Sequence, residues 1–248
     1  MRYPVVLFDV GETLVGPRRS FGAIYADVLR RFGLEIDEGV VERALRATWR
    51  VFDAQIPPGV DRYRHFPGGE QEYWLRFATE TLARLGDGAV SNVIAAEALK
   101  LLRDAFLDPA SWRIYEDVPE SLAALREQGT RLAVVSNWDS RLPAILEMLG
   151  LARNFDAVVV SHLEGVEKPD PRLFEIALRR LGVSREHALH VGDRPELDWE
   201  GARAAGIDGV IVNRGGRELD GIPTVRDLRG LPRIARHGLE RRSGTGSR

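Results

Sequence analysis

The sequence predicts an α/β protein built on a doubly wound parallel sheet, with a helical insertion after the first strand. Two observations lead to this fold class. From about residue 114 onward, short apolar runs alternate with helix-length segments, and one more apolar run, Val5–Phe8, stands near the start of the chain. Such alternation is typical of parallel sheets, whose covered strands are apolar throughout. Between that first run and the rest, residues 16–112 carry helical patterns, so we expect them to form an insertion.

The later strands follow from apolar runs and from the turn signals between them. Glycines such as Gly129 and Gly150 favour the conformation that ends a helix. The predicted strands after the first are Arg131–Ser136, Ala157–Ser161, Ala188–Gly192 and Gly209–Asn213. In such a sheet the carboxyl ends of the parallel strands share one edge, and ligands bind just outside it.

Four helices are predicted in the insertion. Ser20 and Asp37 are expected to cap the first two, and apolar stripes around Trp74 and Leu102 indicate the third and fourth. A polar and aromatic loop, Arg62–Phe66, is predicted between the second and third helices. That loop can either reach a substrate or pack on the surface.

These patterns divide the chain into three parts. Residues 1–15 and 113–235 are predicted to form the sheet domain, and residues 16–112 the helical domain. Residues 236–248 are rich in Arg, Gly and Ser, so we predict a disordered tail there.

Composition excludes several classes of protein. The chain has 248 residues and a net charge of −2 with interspersed charges, so neither nucleic acid nor a membrane surface is indicated as a partner. It has no cysteine, which excludes disulfides and thiol catalysis. No apolar stretch approaches the roughly 20 residues that cross a bilayer. We therefore expect a cytoplasmic protein, monomeric or homodimeric, that acts on a small molecule.

Polar residues follow four of the apolar runs. Asp9 comes directly after the first, Ser136 and Asn137 follow the second, Lys168 lies in the loop after the third, and Asp193 follows the fourth. A single polar residue at such a place is often only a turn or a helix cap. Carboxylate, hydroxyl, amide and ammonium groups together at one sheet edge indicate phosphoryl transfer. That reaction depends mainly on positioning and charge stabilisation.

Each of these residues has a role in that reaction. The carboxylate of Asp9 can attack phosphorus and carry an aspartyl-phosphate. Asp9, Asp193 and the carbonyl of Gly11 can bind Mg²⁺, which prefers hard oxygen ligands. Ser136 and the backbone N–H of Asn137 can donate hydrogen bonds to a phosphate oxygen. The predicted substrate is therefore a small phosphorylated molecule.

The lysine in this set is unusual for the chain. Lys100 and Lys168 are the only lysines among 35 basic residues, so a lysine at the sheet edge indicates a requirement for that side chain. The compact ammonium of Lys168 can lie between a carboxylate and a phosphate. Asp198 can orient Lys168 or a metal-bound water, or it can simply stabilise the first turn of its helix.

Four segments resemble the motifs of a known family. Asp9-Val-Gly-Glu-Thr-Leu, Val134-Val-Ser-Asn, Lys168-Pro and Gly192-Asp-x-x-x-x-Asp198 resemble, in order, the four motifs of the haloacid dehalogenase-like hydrolase superfamily. The resemblance covers about residues 3–230. It implies a Rossmann-like core, a helical cap at the insertion, an Asp nucleophile and Mg²⁺. Thr13, in the first motif, and Asp198 are expected to hold the residues that contact the substrate or the metal, without contacting either themselves.

The first motif departs from the family pattern at Gly11. Phosphatases of this superfamily usually carry a second Asp there, which protonates the leaving alcohol and later deprotonates water. General acid–base help is worth about 10²–10⁴-fold, so activity on alkyl phosphates should fall. Aryl and acyl phosphates leave without a proton and should suffer less. The adjacent Glu12 is expected to point elsewhere.

Three alternatives to a phosphatase stay open at this point. A 2-haloacid dehalogenase uses a strand-end Asp, but dehalogenases of this superfamily typically carry a Ser-x-Asn pattern where this chain has Asp193 and Asp198. A phosphonatase needs a lysine in the cap, and Lys100 lies on a predicted helix away from the site. A phosphate- or partner-binding protein that has lost catalysis is favoured by Gly11. The intact nucleophile, lysine and acidic pair favour the enzyme.

Overall fold

The molecule is organised around a parallel β-sheet. The computed structural model describes residues 1–86, 92–216 and 219–239. Its strands are β1 (Val5–Phe8), β2 (Val15–Pro17), β3 (Trp112–Ile114), β4 (Arg131–Ser136), β5 (Ala157–Val160), β6 (Ala188–Gly192), β7 (Asp208–Val212) and β8 (Thr224–Val225). Six of them form the main sheet in the order β5-β4-β1-β6-β7-β8, and every pair in it is parallel. The predicted α/β fold class is confirmed.

The register of the sheet brings the predicted site residues together. In β1, Phe8 pairs with Val134 of β4 on one side and with Val191 of β6 on the other. Asp9 therefore follows the end of the central strand β1. The neighbouring strands β4 and β6 end within two residues of the positions that pair with Phe8. This alignment explains why side chains more than a hundred residues apart in sequence meet at one edge.

Helices cover both faces of the sheet. The helices of the molecule are α1 (Phe21–Arg30), α2 (Glu38–Asp53), α3 (Arg62–His65), α4 (Gly69–Ala83), α5 (Asn92–Leu107), α6 (Val118–Glu127), α7 (Leu142–Met148), α8 (Ser161–Glu164), α9 (Pro171–Leu181), α10 (Glu200–Ala204) and α11 (Leu231–His237). Phe8 packs in a core with residues of α6, α7 and α11, whereas Leu7 packs with residues of α9 and α10. Because successive strand residues point to opposite faces, this alternation makes the sheet doubly wound.

Helices α1, α2, α4 and α5 pack around an aromatic-rich core of their own. Phe52, Tyr73 and Phe77 are each at most 5% exposed and contact one another through their rings. The predicted caps are present, since Ser20 Oγ accepts a hydrogen bond from the N–H of Ala23 and the Asp37 carboxylate caps α2. These helices lie between β1 and the rest of the sheet in sequence, where the insertion is predicted.

The sequence pattern did not reveal a small second sheet. Strands β2 and β3 pair antiparallel, with Val15 opposite Ile114 and Pro17 opposite Trp112. The chain enters the helical insertion through β2 and leaves it through β3. The predicted domain boundaries, at 15/16 and 112/113, fall inside these two strands.

Smaller differences from the sequence pattern occur at element ends. Arg62–Phe66, predicted as a loop, contains the one-turn helix α3, because the Asp61 carboxylate caps it at the N–H of Arg64. Ser161 begins α8 and does not end β5. Helix α11 extends to His237, and residues 240–248 of the predicted tail lie outside the described residues. Among the described helices, none combines the length and apolarity needed to span a membrane.

Candidate active site

The candidate site is centred on Asp9, at the carboxyl end of β1. Its Oδ1 accepts two hydrogen bonds, one of 2.8 Å from Ser136 Oγ and one of 2.7 Å from Lys168 Nζ. Ser136 is the last residue of β4, and Lys168 comes from the loop between α8 and α9. Both contacts are on the same oxygen, so Oδ2 is the oxygen that these two residues leave for a substrate.

Lys168 is buried between two carboxylates. Its Nζ donates to Asp9 Oδ1 at 2.7 Å and to Asp198 Oδ1 at 2.6 Å, and the residue is 2% exposed. Burial disfavours the charged ammonium, but the carboxylates of Asp198 and Asp9 outweigh burial and raise the pKa of Lys168 to about 12. The ammonium is therefore a fixed positive charge at neutral pH.

Three carboxylates surround this single lysine. Asp9, Asp193 and Asp198 each offer an oxygen, and these oxygens lie within 4.8 Å of one another. Burial, together with the charges of Asp9 and Asp198, raises the pKa of Asp193 to about 8. Burial also raises the pKa of Asp9, and the attraction of Lys168 offsets only part of that rise. Such an excess of clustered carboxylate oxygens suits a hard divalent cation, which relieves their repulsion.

Several neighbours hold the carboxylate of Asp198 in place. Burial would raise the pKa of its carboxyl, but Lys168 and His190 hold that pKa well below its ordinary value. Its Oδ2 accepts a hydrogen bond of 2.9 Å from the backbone N–H of Arg194. Gly192 makes room for it, because a Cβ at residue 192 would overlap the Asp198 carboxylate. The carboxylate is thus ionised and fixed from several sides.

His190 is a site residue that sequence reasoning missed. It lies in the middle of β6, is fully buried, and places Nε2 2.9 Å from Asp198 Oδ1. Its ring also contacts that of Phe174 edge-on, with 4.9 Å between the ring centroids. The available signal was a lone histidine inside the apolar run Ala188–Gly192, where a buried polar side chain needs a partner.

The side chain of Asn137 holds the lysine loop. Its Nδ2 donates to the carbonyl of Lys168 at 3.0 Å, and its Oδ1 accepts from the N–H of Lys168 at 2.7 Å. This two-point contact fixes the backbone from which the ammonium extends. The expected contact of the Asn137 backbone N–H with phosphate remains a prediction.

In the loop after Asp9, Glu12 and Thr13 contact other parts of the molecule. Glu12 has a φ of 53° and its carboxylate accepts a hydrogen bond of 2.5 Å from the Tyr115 hydroxyl. Thr13 is fully buried, and its Oγ1 has no hydrogen-bond partner within the described part of the chain. Its carbonyl accepts a bond of 2.8 Å from Arg214 Nη2. Thr13 thus lies in the packed base of the loop.

Gly11 lies against an indole ring. A Cβ at residue 11 would lie 3.4 Å from Cζ3 of Trp138, which is ordinary van der Waals contact. The space that a side chain at residue 11 would occupy therefore adjoins Trp138, and a small side chain fits there without backbone strain.

A cavity of about 720 Å³ extends from this edge to the helical insertion. Asp9, Ser136 and Lys168 line its floor, and aromatic residues of the insertion line much of the rest. From the Arg62–Phe66 segment, Arg62 and Tyr63 line the cavity. Arg62 also forms an ion pair of 3.1 Å with Glu167, the residue before the lysine.

The fold and the site together define a class of protein. It is a Rossmann-like α/β enzyme with clustered carboxylates and a buried lysine at the carboxyl edge of its parallel sheet. Comparison with known proteins gives the family. Residues 3–206 match the family model described as haloacid dehalogenase-like hydrolase, so the chain belongs to that family and is a hydrolase.

Relatives of the chain are consistent with this membership. It is 35% identical over 226 residues to haloacid dehalogenase-like hydrolase domain-containing protein 3 of Homo sapiens, covering 90% of this chain and 86% of the relative. It is 31% identical over 230 residues to a phosphoserine phosphatase of Thermus thermophilus, covering 87% and 91%. A magnesium-bound HAD-hydrolase structure from Bacillus subtilis, YfnB, has the same fold, with a TM-score of 0.70, 22% identity and coverage of 95% and 99%.

Proposed function

We propose that this hydrolase is a Mg²⁺-dependent phosphatase of a small phosphorylated metabolite and that Asp9 is its nucleophile. The observation that carries the proposal is the fixed Asp9 carboxylate, whose Oδ1 is held by Ser136 and Lys168. A carboxylate that lines a cavity and has one oxygen held by two donors is a nucleophile in a defined orientation. The phosphatase named among the relatives supports the same reaction.

Mg²⁺ would be held by Asp9, Asp193 and the Gly11 carbonyl, where it would neutralise charge on the phosphoryl oxygens. The donor set fits this ion because it consists of hard oxygens that carry more negative charge than Lys168 balances. Asp198 keeps Lys168 in place, and through Lys168 it orients Asp9.

The chain's own residues divide the reaction as follows. Oδ2 of Asp9 attacks phosphorus, and the bond between phosphorus and the leaving oxygen breaks. Lys168 and Ser136 hold the attacking carboxylate and offer donors to the phosphoryl group. Water then attacks the phosphorus of the aspartyl-phosphate, releases phosphate and restores the carboxylate. The helical insertion, acting as a cap, would exclude bulk water from these steps.

The test is phosphate release from p-nitrophenyl phosphate and acetyl phosphate, with Mg²⁺ and with EDTA. We expect release that requires Mg²⁺ and is abolished by Asp9→Asn. The matched control is Asp104→Asn, which makes the same change at an exposed aspartate of α5. Turnover by Asp9→Asn equal to that of the control would contradict the proposal.

The binding-protein alternative is distinguished by variants of Gly11. Release that begins only with Gly11→Asp, and not with Gly11→Ala, would show that the natural chain lacks its acid and would favour a phosphate-binding role. Gly11→Ala tests the added volume alone, because its Cβ makes an ordinary contact with Trp138. Halide release from 2-chloropropionate would favour the dehalogenase alternative.

A further inference from the structure

We propose that the substrate of this site is the phosphate monoester of a phenol, a small molecule whose aromatic ring packs against Trp138 beside Asp9. This inference rests on the proposed phosphatase function and names its substrate class. Two independent features of the cavity carry it, namely the chemistry available to the leaving oxygen and the composition of the wall beside it.

The first feature is the lack of a proton donor at residue 11. Gly11 has no side chain, and the next carboxylate, that of Glu12, is bound to the Tyr115 hydroxyl at 2.5 Å. A leaving alkoxide without a donor is costly, because general acids contribute about 10²–10⁴-fold. A phenol has a pKa of about 10, like that of tyrosine, so it leaves as the phenolate without help.

The second feature is a continuous row of aromatic rings that begins at Gly11. Trp138 lies next to Gly11 and contacts Trp112, with 5.5 Å between ring centroids. Trp112 contacts Phe106 at 6.2 Å, and Phe106 contacts Tyr25 at 6.2 Å. All four rings line the cavity above Asp9. A planar ring bound at phosphorus would find ring faces and edges on the side from which it leaves.

One charged side chain beside these rings, Arg141, is already paired. Arg141 forms an ion pair with Asp139, which is 1% exposed, and its guanidinium lies 5.4 Å from the Trp74 ring and 5.7 Å from the Phe106 ring. Arg141 therefore acts here as part of the aromatic wall. The rings of this part of the cavity suit an aromatic body.

The reaction balances without an added acid or base. In the first step the Asp9 carboxylate forms a bond to phosphorus, the phosphorus–oxygen bond to the ring breaks, and the phenolate leaves with the electron pair. In the second step water attacks phosphorus, the bond to Asp9 breaks, and the water proton goes to the departing phosphate. The products are a phenolate, phosphate and the original carboxylate.

The test compares four substrates of the natural chain with Mg²⁺: acetyl, benzyl, phenyl and 2-naphthyl phosphate. We expect kcat/KM for phenyl phosphate to exceed that for benzyl phosphate by about 10²-fold or more, because the two differ in their need for an acid. We expect 2-naphthyl phosphate to exceed phenyl phosphate by about tenfold, from added ring contact.

Variants then test whether the aromatic row that begins at Trp138 causes the preference for 2-naphthyl over phenyl phosphate. Trp138→Leu should lower the 2-naphthyl to phenyl ratio toward one. The control Phe32→Leu changes an aromatic residue of the insertion that does not line the cavity, and it should leave the ratio unchanged. The substrate series needs no variant, so it tests the inference even if Trp138→Leu folds poorly.

The two proposals fail in different ways. Release from acetyl phosphate without any preference for phenyl over benzyl, or for naphthyl over phenyl, would overturn the aromatic-substrate inference and leave the phosphatase intact. No Mg²⁺-dependent release from any of the four substrates would overturn both.

Discussion

Lys168→Met is expected to destabilise the metal-free protein by about 3–5 kcal/mol. The ammonium is 2% exposed and lies 2.7 Å from an oxygen of Asp9 and 2.6 Å from an oxygen of Asp198. At an effective dielectric constant of about 20, each contact represents about 6 kcal/mol of attraction. The cost of burying the ammonium offsets much of that attraction, but its loss leaves two buried carboxylates without their cation.

The chain contains a matched control for this change. Lys100 is its only other lysine, its side chain is 70% exposed, and it forms an ion pair with Glu97 at 2.7 Å. Lys100→Met should change the free energy of unfolding by less than about 0.5 kcal/mol, as is usual for surface substitutions. Both variants make the same chemical change, so their difference isolates the effect of burial between carboxylates.

The assay is urea unfolding at pH 8 in EDTA, followed by tryptophan fluorescence. The pKa of Lys168, about 12, lies above the ordinary lysine value of about 10.4, so its stabilisation is fully present at pH 8 and disappears as the pH rises through about 12. A Lys168→Met free energy of unfolding within about 0.5 kcal/mol of that of Lys100→Met would refute the reasoning.

Three further predictions concern other parts of the molecule. Asp117→Asn should cost about 2–3 kcal/mol at pH 7 in urea unfolding, because the buried carboxylate binds Arg214 at 2.9 Å and 3.1 Å and the N–H of Leu228 at 2.7 Å. Since these partners lower its pKa, that difference should be present above about pH 4 and shrink as the pH falls further; a constant difference down to pH 2 would contradict the role of charge. Gly192→Ala should abolish phosphate release while the far-ultraviolet circular dichroism is retained, because its Cβ would displace the carboxylate of Asp198; full activity would show that the site tolerates this shift. Saturating Mg²⁺, at about 100 times its Kd, should stabilise the natural protein by about 2.7 kcal/mol, and Asp193→Asn should lose most of this gain in thermal unfolding; an equal gain in both would place the ion elsewhere.

Much of the fold follows from local sequence patterns. Apolar runs that end in a polar residue located β1, β4 and β6, and the fixed direction of parallel strands put Asp9, Ser136 and Asp193 at one edge. Strands β2 and β3 escaped prediction because each has only three residues, too few for a pattern to stand out. Their pairing joins residues almost a hundred positions apart, which a local pattern does not encode.

The sequence predicted which residues gather at this sheet edge, but not the contacts between them. For Asn137 the sequence predicts a role of the backbone N–H, whereas the structure shows that its side chain binds the peptide of Lys168. Such a contact depends on where a distant loop passes. In the sequence, His190 resembles any other buried strand residue, because its contact with Asp198 forms only when the chain after β6 folds back. The contact of Trp138 with Gly11 arises likewise between two different strand ends.

The paired strands β2 and β3 restrict how the helical insertion can move. Both chain crossings lie side by side and share hydrogen bonds, so neither crossing can shift without disturbing the other. Away from these strands, Ser140 Oγ donates to Glu70 at 3.0 Å and Arg62 binds Glu167, so polar side chains also join the insertion to the sheet domain. Because Glu167 adjoins Lys168, the ion pair of Arg62 connects the helical insertion to the segment that carries the buried ammonium beside Asp9.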